Sequence, residues 1–198
     1  MRLTIPNQLT ILRIILTPLF LILIFRDTAS QQLAGSIIFG FASLTDWYDG
    51  WYARRFGVIT RWGQFMDPLA DKIVVISALV AFAILGYVFW WMVWVIIIRD
   101  VVITFNRIYA LNTNKPIITH SVAKWKTAIQ MLTIFLILFF INLRNFYFPN
   151  LSTYSAQYFD FIGISMIIVT FLTVLSGTIY VIENRDLLFS LLRNLLRL

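Results

Sequence analysis

The chain has no cysteine. That single absence removes disulfide scaffolds, thiolate zinc sites, iron–sulfur clusters and cysteine nucleophiles. Charge is scarce as well: 13% of the 198 residues are charged, and the only histidine is His120, too little for an imidazole metal site. There is no Gly-rich phosphate loop, so nothing points to chemistry driven by ATP. No Pro-, Gly- or Ser-rich linker divides the sequence, which reads as one domain over 1–198. No internal repeat is detectable, which speaks against inverted-repeat transporter folds. A convincing cleavage site is also missing, so residues 1–8 read as a short cytoplasmic lead.

Apolar side chains, by contrast, are in excess. Sixty per cent of the residues are hydrophobic, including 18 Phe and 7 Trp, more than a water-soluble domain of this size can hide in one core. The expected class is therefore an all-α, polytopic protein of the lipid bilayer, with the aromatics facing lipid or packing between helices. The net charge of +7 would suggest nucleic acid in a soluble protein. Here it fits a basic cytoplasmic rim, and no nucleic-acid partner is expected.

A helix crossing the hydrocarbon layer needs about 20 residues. Residues 9–25 form one apolar run broken only by Arg13, and 33–44 is too short alone, so its helix must run on through Asp46 and Asp49. Residues 73–98 carry no charge over 26 positions, about 39 Å of helix, too long for one comfortable span and too short for two. Gly86 offers a turn near the middle. With that turn, Arg54, Arg55, Arg61, Lys115, Lys124 and Lys126 fall on one side with Arg2, Arg185, Arg193 and Arg197, leaving only Arg26 and Arg144 outside. This positive-inside bias predicts six transmembrane helices near 7–26, 32–54, 63–85, 87–112, 121–144 and 158–182, with both termini cytoplasmic. Residues 145–158 read as an external loop, and 186–198 as a short amphipathic helix on the anionic leaflet.

Four of the nine acidic residues lie within 26 positions: Asp46, Asp49, Asp67 and Asp71. Asp46, Asp49, Gly50 and Ala53 stand at i, i+3, i+4 and i+7, one stripe of a helix. Gly63, Asp67 and Asp71 stand at i, i+4 and i+8 of the next, and residues 55–62 connect the two, so the stripes can face each other at one depth. Carboxylates gathered in a partly dry place repel one another unless protons or cations neutralise them. Hard oxygen ligands point to magnesium, manganese or calcium, and four suit two ions, which can clamp a diphosphate and stabilise a leaving oxygen. A lone intramembrane Asp is often a structural partner of Arg or Lys; four at matched helical spacing are a different matter. Gly50 and Ala53 leave room for a bulky group, and Arg54 is placed either to meet phosphate or to anchor its helix at the headgroups.

This pattern, eight residues at fixed spacing from Asp46 to Asp71, resembles the signature of the CDP-alcohol phosphotransferases. The resemblance implies a six-helix membrane fold, a homodimer, and a cytoplasmic-side site that transfers a phosphatidyl group from a CDP-linked donor to an alcohol. It further implies that Asp46, Asp49, Asp67 and Asp71 bind Mg²⁺ or Mn²⁺, that Asp71 is the general base, and that Gly50, Ala53 and Gly63 accommodate the cytidine nucleotide.

Outside the signature, 5–13, Arg99-Asp100 with Arg107, and Lys124-Trp-Lys126 with Gln130 are similar to the bacterial branch of the family that makes phosphatidylglycerol phosphate. That implies CDP-diacylglycerol and glycerol 3-phosphate as substrates in a bacterial plasma membrane. Asn7 and Thr10, one turn apart, can face nucleotide or diphosphate, or simply cap a helix and satisfy backbone. Arg107, Lys124 and Lys126 suit the phosphate of the acceptor, or anchor topology. Arg99 lies deeper and either binds substrate or pairs with Asp100 or a site aspartate. A cardiolipin synthase or another acceptor within the family, and a cation transporter outside it, are the competing readings.

Overall fold

The computed structural model describes residues 5–56, 61–112, 121–148 and 154–185. Six α-helices account for them almost entirely: α1 Ile5–Ile24, α2 Ala29–Phe56, α3 Arg61–Ile84, α4 Trp90–Asn112, α5 Ser121–Tyr147 and α6 Phe161–Glu183. There is no strand among the described residues. The expected amphipathic segment 186–198, Lys115 and His120 lie outside them.

Polarity in this protein is inverted relative to a water-soluble fold. Thr10, Arg13, Thr17, Phe20 and Ile24 are buried along one face of α1, whereas Ile11, Ile15, Leu19 and Ile22 are exposed along another. Leu44, Trp94, Phe139 and Phe171 are likewise exposed, while Arg13, Asp100 and Lys126 are among the most buried side chains. Exposed hydrocarbon around buried charge costs little only where the surrounding solvent is lipid. Three helices, counted from Asn7 in α1 and over the whole of α5 and α6, are long and apolar enough to cross a bilayer. The molecule is a membrane-embedded helical protein.

Each helix differs from its expected range by a few residues at one end or both, and local chemistry accounts for several of the shifts. α1 stops at Ile24, not 26: the Arg26 N–H turns back to the Leu23 carbonyl, and the Arg26 carbonyl accepts from the Gln32 side chain. α2 then starts early, because the Thr28 carbonyl already takes the N–H groups of Gln31 and Gln32. α6 starts at Phe161 because Asp160 caps it, its carboxylate accepting from the Gly163 N–H at 2.6 Å. α4 starts at Trp90 instead of 87, since Tyr87 still bonds back to the Phe82 carbonyl.

The turn expected at Gly86 is present, with φ +77°. A Cβ there would meet nothing nearer than the Tyr154 carbonyl at 3.8 Å, so the backbone conformation, not lack of space, asks for glycine. At Gly35 the reason is different. An added Cβ would sit 3.2 Å from the Ile24 nitrogen and from Leu23 Cβ, so this glycine lets α2 lie close against the end of α1.

The chain separates into two compact units, 1–87 with 134–155, and 88–133 with 156–198. In the first, α1 packs on α2 and α3. Asn142 donates to Ser36 at 2.7 Å and Asn145 to Gln32, which ties the second half of α5 to α2. Arg144 donates to the Tyr87 hydroxyl at 3.0 Å, and the Tyr87 ring stacks on Tyr154. In the second unit α4 packs on α6, fastened by Asn106 to the Tyr180 hydroxyl at 3.0 Å.

Candidate active site

Asp46 and Asp49 occupy successive turns of α2, and Asp67 and Asp71 successive turns of α3, as the spacing requires. The four share one electrostatic field: Asp46 feels the charges of Asp67 and Asp71, and Asp49 those of Asp46 and Asp67. Asp49 is buried, whereas Asp46, Asp67 and Asp71 are partly open.

What holds them comes from α1. Arg13, 1% exposed, sets Nη1 2.7 Å from Asp46 Oδ1 and donates from Nη2 to Asp49 Oδ2 at 2.5 Å. Thr10, with no exposed surface, donates its hydroxyl to Asp67 Oδ1 at 2.6 Å. Asp71 faces Lys72 at 3.9 Å. In the sequence Arg13 closes the 5–13 stretch and interrupts an apolar run, with no chemical role assigned to it. That interruption was the available signal, since an arginine amid hydrocarbon needs a carboxylate partner.

The donor set fits a divalent cation in kind. Four hard carboxylates against one guanidinium and one ammonium leave a surplus of negative charge at a half-buried place. Among the described residues, however, no three such side chains stand close enough together to hold an ion as they are. Arg13 occupies one oxygen on each of two of them.

Of the residues expected near a nucleotide, Asn7 is buried at the start of α1, Gly50 is half-buried on α2, and Gly63 is buried on α3. Thr10 is buried one turn further along α1, with its hydroxyl turned to Asp67 Oδ1. Ala53 and Arg54 belong to α2 and Arg107 to α4, with side chains outside the described ones.

The basic residues of the second unit divide. Lys124 is exposed. Lys126, two residues on, is fully buried and donates to Asp100 Oδ1 at 2.6 Å. Arg99 gives Nη1 to the same oxygen at 2.9 Å and Nη2 to the Ser176 hydroxyl at 3.0 Å. Of the readings open for Arg99, pairing with Asp100 is the one observed.

The profile of the CDP-alcohol phosphatidyltransferase family matches residues 3–177. The chain belongs to that family. Among the curated relatives of this CDP-alcohol phosphatidyltransferase is the Bacillus subtilis CDP-diacylglycerol–glycerol-3-phosphate 3-phosphatidyltransferase, 33% identical over 195 residues, which cover 92% of this chain and 96% of the relative. Proteins of the same name from Wigglesworthia glossinidia brevipalpis and Haemophilus influenzae are 37% and 38% identical, covering 70% and 68% of this chain and 78% and 75% of theirs.

Proposed function

We propose that this phosphatidyltransferase moves the phosphatidyl group of CDP-diacylglycerol to glycerol 3-phosphate, giving phosphatidylglycerol phosphate and CMP. The observation that carries the reading is the similarity, over nearly the whole length of both chains, to a relative named for that reaction. The same breadth supports treating 1–198 as a single catalytic domain. Six spans, both termini in the cytoplasm of a bacterial cell, a site opening to the cytoplasm and a homodimer complete the proposal, resting on the basic rim and the family resemblance.

Family members are divalent-metal dependent, and the donor chemistry of Asp46, Asp49, Asp67 and Asp71 suits a pair of Mg²⁺ or Mn²⁺ ions. Bound ions would supply polarisation of the phosphorus and neutralisation of the departing CMP. Asp71 takes the proton of the attacking hydroxyl as the new phosphoester bond forms and the bond to CMP breaks. Asn7, Gly50, Ala53, Arg54 and Gly63 serve the cytidine and diphosphate. Arg107 and Lys124 receive the acceptor phosphate, and Arg99 and Lys126, two cations against the single carboxylate of Asp100, leave one positive charge in surplus for it. A lipid donor accounts for the membrane setting, since its acyl chains stay in the bilayer while its diphosphate reaches the carboxylates.

The test is direct. Purified protein given CDP-diacylglycerol, Mg²⁺ and labelled glycerol 3-phosphate is expected to form labelled lipid and CMP. Turnover with phosphatidylglycerol in place of glycerol 3-phosphate would instead make it a cardiolipin synthase.

A further inference from the structure

We propose that Gln130 is a specificity-determining residue of the transfer: its amide nitrogen donates to the middle hydroxyl of glycerol 3-phosphate. This rests on the reading of Arg99 and Lys126 as charge for the acceptor phosphate. Lys126, Gln130 and Thr133 stand at i, i+4 and i+7 of α5 and all are buried, so one inward face of the helix carries them. Beyond them the buried positions turn to hydrocarbon, with Ile134, Ile137, Leu138 and Ile141. At the first polar position the ammonium of Lys126 meets Asp100, to which Arg99 brings a second cation. Gln130 follows one turn later, about 6 Å further along the axis.

What sets Gln130 apart is unspent hydrogen bonding. It is 1% exposed, and its Nε2 has no hydrogen-bond partner among the described residues. Arg99 Nε and Asn106 Oδ1 share that condition in the second unit. Arg99, however, spends both terminal nitrogens, on Asp100 and Ser176, and Asn106 spends its nitrogen on the Tyr180 hydroxyl. Gln130 keeps both amide protons. Thr133, on the same face, is satisfied by donating to the Ile129 carbonyl. Burying a donor without a partner costs stability, and a methionine would fill the place without that cost. Such a donor marks a place where an acceptor atom arrives. Its neighbours say which kind. Arg99 and Lys126 offer charge, so the phosphate belongs beside them. From Thr127 to Leu143 α5 carries no charge, and a neutral amide there suits a neutral hydroxyl. Glycerol 3-phosphate holds one on the carbon next to its phosphate-bearing carbon. A rival account gives the amide protons to an ordered water, which asks for no particular acceptor.

The experiment pairs two acceptors with two proteins. 3-Hydroxypropyl phosphate has the phosphate and the attacking hydroxyl of glycerol 3-phosphate and lacks only the middle hydroxyl. With CDP-diacylglycerol and Mg²⁺, the detergent-solubilised full-length protein is expected to prefer glycerol 3-phosphate by about tenfold or more in kcat/KM. Gln130→Met removes the donor at nearly constant size. It is expected to bring the two acceptors within about twofold of each other by losing turnover of glycerol 3-phosphate alone, with KM for CDP-diacylglycerol unchanged. Its thermal midpoint is expected to hold or rise, because a buried donor without a partner has gone. If Gln130→Met does not fold, Gln130→Asn, which draws the amide back by one methylene, carries the same test. A preference kept in the variant overturns the proposal. That holds whether both activities are intact, as for an amide facing water, or fall together, as for one serving the phosphate or the packing. An unaltered protein indifferent to the middle hydroxyl overturns it as well. No turnover of glycerol 3-phosphate by the unaltered protein sinks the proposed reaction itself, an outcome distinct from the others.

Discussion

The ammonium of Lys126 lies 2.6 Å from the carboxylate of Asp100, and neither side chain has any exposed surface. Arg99 joins the same oxygen from the residue before it, so α4 holds a cation and an anion side by side and α5 adds a second cation. Removing one partner of such a pair strands the other in a medium that solvates it poorly, at a cost of about 3–5 kcal/mol. Asp100→Asn is therefore expected to lower the thermal midpoint in detergent by many degrees, and Asp100→Glu by much less. Equal midpoints for Asp100→Asn and the unaltered protein would show that the pair contributes nothing to stability.

Asp71→Asn removes the proposed base while keeping the size of the side chain. Turnover is expected to fall by about 10²–10⁴-fold, the usual contribution of a positioned base. Retention of the full rate would take Asp71 out of that role.

Lys124→Ala and Arg107→Ala each remove a charged donor from the proposed acceptor pocket. An increase of about tenfold or more in KM for glycerol 3-phosphate, with KM for CDP-diacylglycerol unchanged, is the expected kinetic pattern. Parallel increases for both substrates would assign these residues to architecture instead.

Chelation offers a fourth check. EDTA is expected to abolish transfer, and added Mg²⁺ or Mn²⁺ to restore it. Full activity in chelator would contradict the metal dependence of the reaction.

Gly86→Ala places a Cβ on a residue with φ +77°. The penalty is about 1–2 kcal/mol of stability with no effect on the chemistry, measured as a lower thermal midpoint at unchanged KM values.

The helices were largely legible in the sequence because hydrocarbon runs, a glycine turn and one-sided basic residues are strong signals, and all six fall close to their expected places. Their ends were less so. The cap supplied by Asp160 and the return of Arg26 to Leu23 depend on individual hydrogen bonds that no periodicity records. The aspartates announced themselves by spacing alone. Thr10 stood out only as a candidate for nucleotide or diphosphate and Arg13 only as a break in an apolar run, since their partners lie between 33 and 57 positions away along the chain, and a one-dimensional pattern carries no such pairing. Lys124 and Lys126 read alike in the sequence, as residues for the acceptor phosphate or for topology, and only burial distinguishes the two.

The grip of Arg13 on α2 also bears on how the protein is made. A chain emerging from the ribosome presents α1 before Asp46 and Asp49 exist, and a bare arginine amid apolar residues is a poor passenger for the insertion machinery, at roughly 2.5–3.5 kcal/mol. Once α2 is synthesised the charge finds its counterpart. The α1–α2 hairpin is then the first stage of synthesis at which Arg13 has both of its carboxylate partners.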